Sequence, residues 1–202
     1  MSFEGIIITG TSCAGKSTIA KALCDSSDNK VIGVYEVVKA VTTRIQRPDD
    51  FNFEYLNDTQ FSILKDQGEL MLDDTYRNKY YGIKFEEYMK VLAMGKIPII
   101  ITSSSVAKFL LEQYKGRFIC FFIDATDEEL CRRFKVRENR VIDKEELERF
   151  HKINELDRKN ADKAHYVIYN NELTASISLI QLLWEYRICG GILSSTIIKL
   201  NY

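Results

Sequence analysis

Between a short β-branched run and a helical pattern, the chain turns through Gly10-Thr11-Ser12-Cys13-Ala14-Gly15-Lys16-Ser17-Thr18, and no other feature restricts its fold as strongly. Residues 6–9 (Ile-Ile-Ile-Thr) form a continuous apolar run of the kind buried on both faces of a parallel sheet. From Lys16 onward, Ile19, Ala20 and Leu23 fall at helical spacing. The loop between them fits G-x-x-x-x-G-K-[ST]. Backbone N–H groups that curl around phosphate oxygens need glycine where φ is positive or the approach is close, and a helix N-terminus adds partial positive charge. In that geometry Lys16 reaches the β- and γ-phosphates of a nucleotide and the Ser17 hydroxyl ligates Mg²⁺. Average composition gives the four-letter pattern in roughly one chain of this length per hundred, and its place after a buried strand makes coincidence rarer still. Cys13 is either a thiol acidified by the helix N-terminus or a small residue tolerated in a tight turn.

The alternation continues down the chain. Buried-strand patterns recur at 97–102, 117–123 and 166–169, and helical patterns at 85–94, 106–114, 127–135, 144–161 and 172–187. The last carries Leu173, Ile177, Ile180, Leu183 and Trp184 at helical spacing. Strands alternating with helices predict an α/β fold with a parallel sheet covered on both faces. Two segments interrupt it. Residues 40–82 are rich in aromatic and turn residues and hold one helical pattern, 59–67; residues 132–149 are strongly charged. Inserts of this sort in an α/β core carry specificity and lid functions. The stretch 192–200 reads either as an added edge strand or as a loose tail.

Composition narrows the function. A length of 202 residues suits one domain with a small insertion. With 28 Lys and Arg against 29 Asp and Glu, the chain lacks the net basic surface of a protein that coats nucleic acid. No apolar run approaches the length that spans a bilayer, and the first residues lack the basic and apolar regions of a secretory signal. Five cysteines with no C-x-x-C pair favour free thiols in a reducing compartment, so a cytoplasmic location is expected.

A phosphate-binding loop alone does not separate kinases from GTPases or motors. A GTPase needs D-x-x-G and N-K-x-D signatures, and neither occurs. Instead the insert holds Thr42-Thr43-Arg44-Ile45-Gln46-Arg47, then Phe53-Glu54-Tyr55, then Tyr80-Tyr81-Gly82. Two arginines three apart can converge on one anion, and a tyrosine hydroxyl can donate to it as well. Singly, each is an ordinary surface arginine or core tyrosine; their joint order is the informative part.

In that order the chain resembles the guanylate kinase family. The matching segments here are GTSCAGKST, TTRIQR, FEYLNDTQF, KYYG, MGKIPIIIT, CRRFKVREN and AHYVIYNN, from Ile6 to about Arg187. The resemblance implies a P-loop kinase with a five-stranded parallel core sheet covered by helices, a small mixed-sheet acceptor-binding insert and a helical lid. It divides a single domain, 1–188, into core (1–39, 83–131, 156–188), insert (40–82) and lid (132–155), with 189–202 a tail of no assigned role. It further implies transfer of the γ-phosphoryl group of ATP, with Mg²⁺, to a small phosphorylated acceptor, a nucleoside monophosphate ahead of a sugar phosphate. Neither a nucleic acid polymer nor a membrane is an expected partner. Carried over by position, Gly10 to Thr18 and Asn170 bind ATP, with Ser17 on the metal. Lys16, Arg133, Arg137 and Arg149 neutralise the transferring group. Arg44, Arg47 and Tyr81 hold the acceptor's phosphate. The cluster from Arg132 to Arg140 also reads, without the loop, as a plain solvated helix face.

The departures from the family fall on base recognition. Its guanine-contacting Glu falls on Leu72, and hydroxyls that help read the base fall on Ile83 and Ala40. The phosphate-binding Tyr becomes Phe53, and an acidic strand end becomes Ile101-Thr102-Ser103, where Thr102 or Ser103 is left to order a water. A buried polar reader discriminates strongly only when its partners are present, so the expectation is a bound phosphate without guanine specificity. Leu at the Glu position is also similar to ribose 1,5-bisphosphate phosphokinases. Asp73 and Asp74 are either readers of acceptor hydroxyl or amino groups or part of a solvated turn. They and Glu36 are the candidate bases if the acceptor is instead an unphosphorylated hydroxyl. A non-catalytic interaction module is the remaining reading, and the intact Lys16 opposes it.

Overall fold

The computed structural model describes residues 4–25, 35–48, 50–76, 78–190 and 196–198. The chain divides into two compact units, 1–28 with 101–202 and 29–100. In chain order the first unit opens with β1 (Gly5–Gly10) and α1 (Lys16–Asp25). The second holds β2 (Tyr35–Val37), β3 (Ala40–Thr42), β4 (Phe53–Tyr55), α2 (Asp58–Asp66), β5 (Leu70–Tyr76), β6 (Lys79–Lys84) and α3 (Phe85–Ala93), and ends in β7 (Ile97–Ile101). The first resumes with α4 (Ser104–Gln113), β8 (Phe118–Asp124), α5 (Asp127–Glu138), α6 (Lys144–Arg158), β9 (Tyr166–Tyr169), α7 (Leu173–Ile188) and β10 (Thr196–Ile198).

The first unit is built on apolar runs. Every residue of β1 and of β8 is buried, and the two pair in parallel from Gly5↔Phe118 to Gly10↔Ile123. β9 adds in parallel to β8, with Phe121 and Tyr166 stacked at 5.5 Å across the pair. On β1, Ile8 O accepts from Thr102 N, the residue after β7, at 3.1 Å. Ile19, Ala20 and Leu23 of α1 and Ile180, Leu183 and Trp184 of α7 are buried against this framework. With the parallel pair β2–β7 of the second unit, these are the five parallel strands that the alternation and the resemblance predict, and the fold is α/β. Of the stretch 192–200, Thr196–Ile198 forms β10, paired in parallel with β9 as an added edge strand; the rest of it lies outside the described residues. The helix expected over 144–161 stops at Arg158, and a 3₁₀ turn follows at Ala161–Lys163. Among the described residues no helix is long and apolar enough to cross a membrane, and no disulfide is formed.

The second unit carries a mixed sheet in the order β4-β3-β6-β5. β3 is parallel to β4 and antiparallel to β6, which is antiparallel to β5. The register aligns Phe53, Ala40, Ile83 and Leu72 in one cross-strand row and Tyr55, Thr42, Tyr81 and Asp74 in the next row on the same face. The row between them, Glu54, Val41, Gly82 and Asp73, faces the other way. There Asp73 pairs with Lys65 of α2 at 2.5 Å and Glu54 with Lys84 at 2.9 Å. A strand thus occupies the segment that the sequence also allowed as a turn.

Candidate active site

In the first unit the loop after β1 is held by its neighbours on every side. Gly10 takes φ +135° and Gly15 φ +93°, with Cys13 at +66° between them. Thr11 N donates to Ile123 O at 3.1 Å, continuing the β1–β8 ladder by one bond. The Lys16 ammonium rests on the carbonyls of Gly10 (2.8 Å) and Thr11 (2.7 Å). Ser17 and Thr18 are exposed in the first turn of α1, where unpaired helix N–H groups and the dipole favour an anion.

Two of the expected side chains converge on this loop at Ala14. Asn170, just past β9, donates through Nδ2 to Ala14 O at 2.8 Å. Arg133 of α5 donates to Ala14 O (3.2 Å) and to Asn170 O (2.8 Å), and its Nε is held by Glu129 at 2.7 Å. A Cβ at position 15 would lie 2.5 Å from Asn170 Nδ2, so Gly15 is what lets Asn170 in. Arg137 and Arg149 are not drawn to the loop. Arg137 pairs with Glu138 (3.1 Å) over the Phe134 ring, and Arg149 with Glu145 (2.5 Å) on the surface of α6. Of the basic cluster, Arg132 and Arg140 are likewise tied to Glu129 and Glu146. Ser103 caps α4, accepting from Val106 N, and the residues that end β7 and follow it, Ile101, Thr102 and Ser103, carry no carboxylate.

Of the expected acceptor residues of the second unit, Arg44, Phe53, Tyr81 and Asp74 share the sheet face that carries Leu72. Arg44 lies 4.6 Å over the Phe53 ring, and Tyr81 meets Phe53 edge-on at 6.4 Å. The Arg44 guanidinium grips Asp50 with both ends, Nη1 at 2.7 Å and Nη2 at 2.5 Å. Tyr55 O–H donates to the same carboxylate, as does Arg47 N at 2.7 Å. Burial opposes ionisation of Asp50, but the donors from Arg44, Tyr55 and Arg47 together outweigh it and hold its carboxyl at about 2. Burial and the bond to Asp50 push the Tyr55 hydroxyl up to about 12. Leu72, Ile83 and Ala40 are buried side by side in their row. Asp74 shares that face, whereas Asp73 is on the reverse. Glu36 of β2 is paired with Lys96 at 2.5 Å.

A family model described as Guanylate kinase matches residues 2–186. The chain belongs to the guanylate kinase family. Among curated relatives, a guanylate kinase of Mycoplasmopsis pulmonis is 26% identical over 68% of this chain and 68% of its own length. One of Syntrophus aciditrophicus is 25% identical over 89% and 84%. A crystal structure of guanylate kinase from Anaplasma phagocytophilum covers 92% of this chain and 87% of its own with a TM-score of 0.70 at 19% identity, a likeness of fold. Membership makes this chain an ATP-dependent kinase.

For a member of the guanylate kinase family, three of the residues that shape its loop escape motif reading. Asp124, buried at the end of β8, accepts from Thr11 Oγ1 (2.9 Å), Ala125 N (2.9 Å) and Arg158 Nε (2.8 Å). Arg158 also reaches Asp127 at 2.7 Å, and the hydrogen bond to Asp124 raises its pKa despite burial. Asn154 of α6 accepts from Ser12 N at 2.8 Å. A carboxylate closing an otherwise apolar strand beside the loop is the one signal that could have exposed Asp124. Asp124→Asn keeps the shape but leaves Arg158 facing a neutral amide and Thr11 with a weaker acceptor. Because the Arg158 side chain is 30% exposed, the expected loss is about 2 kcal/mol rather than that of a fully buried pair. Urea unfolding of variant and parent measures it, and a midpoint unchanged within error would show the pair to be idle.

Proposed function

We propose that this kinase moves the γ-phosphoryl group of ATP onto the phosphate of a nucleoside monophosphate and does not select guanine. What carries the second half is the row Ala40–Ile83–Leu72. Where the family resemblance puts two hydroxyls and a carboxylate, three apolar side chains lie in register across three strands, 6%, 4% and 6% exposed. Such a row offers no donor or acceptor to a purine edge, and a hydrogen-bonding base placed against it loses its partners in water. The same row fits a sugar phosphate, which has no base to be read, and this is the second reading.

The chemistry asks for position and charge rather than a base, since a phosphate oxygen needs little deprotonation to attack. Loop N–H groups from Gly10 to Thr18 cradle the ATP phosphates, Lys16 follows the transferring group, and Asn170 serves the adenine end. Arg133 is at the loop already; Arg137 and Arg149, on the charged segment 132–155, exchange their glutamate partners for phosphate oxygens as that segment closes as a lid. Arg44, Arg47 and Tyr81 hold the acceptor. The donor set fits Mg²⁺, which retains most of its waters and takes one or two protein oxygens plus substrate phosphates: the exposed Ser17 hydroxyl is that protein ligand. The ion, when bound, would supply charge neutralisation to the transferring phosphoryl group. Five cysteines with no C-x-x-C pair support a cytoplasmic setting.

An ADP-release assay over the common nucleoside monophosphates and pentose phosphates tests this. The expected result is turnover of at least one acceptor with kcat/KM at least about tenfold above that for GMP, the scale of one lost polar contact. Leu72→Glu combined with Ile83→Ser should move the ratio toward GMP by about tenfold or more. A parent enzyme that prefers GMP would remove the proposed specificity, and silence with every phosphorylated acceptor would remove the transfer itself.

A further inference from the structure

We infer that Asp50 is a positioning residue that presets Arg44 for the acceptor's phosphate, with Tyr55 supplying on this face the hydroxyl that position 53 lacks. The inference rests on the acceptor site proposed above. Four N–H and O–H donors from three residues converge on the Asp50 carboxylate: two from Arg44, one from Tyr55 and the Arg47 amide. Side chains of Arg44 and Asp50 are only 8% and 12% exposed, and the guanidinium is flanked by the rings of Phe53 and Tyr55. An arginine in water samples many rotamers, and ordering it on binding weakens affinity. Here the order exists beforehand.

The direction of the grip matters. Asp50 takes the two terminal nitrogens, Nη1 and Nη2, and Ile45 O takes the second Nη1 proton at 2.9 Å. The Nε proton and the second Nη2 proton face away from Asp50 and Ile45 O, with the Tyr55 hydroxyl also set against the guanidinium. Those two form the other edge of the planar fork, which matches two phosphate oxygens bidentately. Asp50 thus fixes the plane of the guanidinium from one edge and presents the other. Tyr55 stands in the row next to Phe53 on the same face. Its ring lies 6.3 Å from that of Phe53, and its hydroxyl shares the carboxylate with Arg44. Of these two rings only Tyr55 carries a hydroxyl, and its one proton goes to Asp50. The alternative geometry makes Asp50 a competitor sitting in the anion's seat, and it predicts the opposite sign for the same substitution.

The test uses the full chain and inorganic phosphate as probe, followed by the Arg44 Nε–H resonance in ¹⁵N-labelled protein. In the parent that resonance should shift on phosphate addition with a measurable Kd. Asp50→Asn, which keeps the size and one acceptor but loses the charge, should weaken that Kd by roughly tenfold. Asp50→Glu should restore it to within about threefold, a rescue that a merely structural role would not produce. Should Asp50→Asn not fold, Tyr55→Phe keeps the ring and removes one donor to Asp50, and a two- to threefold weaker Kd is expected, because the lost bond bears on Arg44 only through the carboxylate. Binding unchanged or tighter in Asp50→Asn, or no phosphate shift of Arg44 in the parent, overturns the inference. Phosphate binding weakened as expected in a protein that turns over no phosphorylated acceptor would sink the proposed transfer and leave the clamp standing. Turnover with an unchanged phosphate Kd in Asp50→Asn would do the reverse.

Discussion

Lys16→Ala should lower kcat by about a thousandfold while the fold survives, the scale of removing a preorganised charge from a phosphoryl-transfer site. The Lys16 ammonium already lies across the mouth of the loop, on the carbonyls of Gly10 and Thr11. Both carbonyls belong to the turn that would wrap the phosphates, so a small swing carries the charge from them onto the γ-phosphoryl oxygens. That charge counts for more as negative charge shifts in the transition state than it does in the ground state. ATP affinity should therefore fall much less than kcat, by about tenfold, because loop N–H groups and the α1 N-terminus continue to bind the phosphates. Titration with ATP and an ADP-release assay separate the two quantities. Stability should change little: Lys16 is half-exposed, and water can replace it at both carbonyls. If kcat fell less than tenfold, the loop would be binding nucleotide without taking part in transfer. That outcome would favour an interaction module over an enzyme.

The elements that sequence reading found are those whose own residues declare them. The runs at 6–9, 117–123 and 166–169 are apolar enough that only a strand covered on both faces can hold them, and each appears as expected. β2 is different: Tyr35-Glu36-Val37 is three residues long with a charge in the middle, and only its pairing with β7 makes it a strand. The segment around Asp73 and Asp74 looked as much like a turn as like a recognition element, because two adjacent acids say nothing about register. Once β5 pairs with β6, adjacent residues must face opposite ways, and one acid joins Leu72 while the other joins Lys65. The candidate site divides along the same line. The loop, Arg133 and Asn170 were reachable because a local motif or a family order marks them. Asp124, Asn154 and Arg158 were not, because the bonds that tie them to the loop and to each other span at least 31 positions. Asp50 lies only six residues after Arg44 and was within reach. A carboxylate that close to an arginine in a turn-rich segment is common, however, and nothing in the sequence says that Tyr55 and the Arg47 amide meet there too.

Gly10→Ala should be the most damaging single methyl in the chain, costing about 4 kcal/mol or more and leaving little folded protein, since whole domains are stable by only about 5–15 kcal/mol. Two penalties coincide at this position. The residue sits at φ +135°, which side chains with a Cβ rarely adopt. A Cβ built there would also lie 1.9 Å from Ile123 O and 2.6 Å from Ile123 N, backbone atoms of the neighbouring strand β8. Backbone in the middle of a fully buried sheet cannot move aside as a side-chain tip can. Relief would require β1 and β8 to part at the rung where Thr11 N bonds Ile123 O, and the loop would lose its attachment to the sheet. Gly15→Ala is the informative comparison. It too is strained by a positive φ, +93°, but its Cβ crowds a side-chain tip, Asn170 Nδ2 at 2.5 Å, rather than backbone, so that variant should fold with Asn170 displaced from Ala14 O and with weakened ATP binding. Thermal unfolding by circular dichroism, with ATP titration of whatever remains folded, distinguishes the two. A Gly10→Ala protein melting within a few degrees of the parent would mean that the loop does not leave β1 against β8 as described, and the phosphate cradle would have to be built from a different turn.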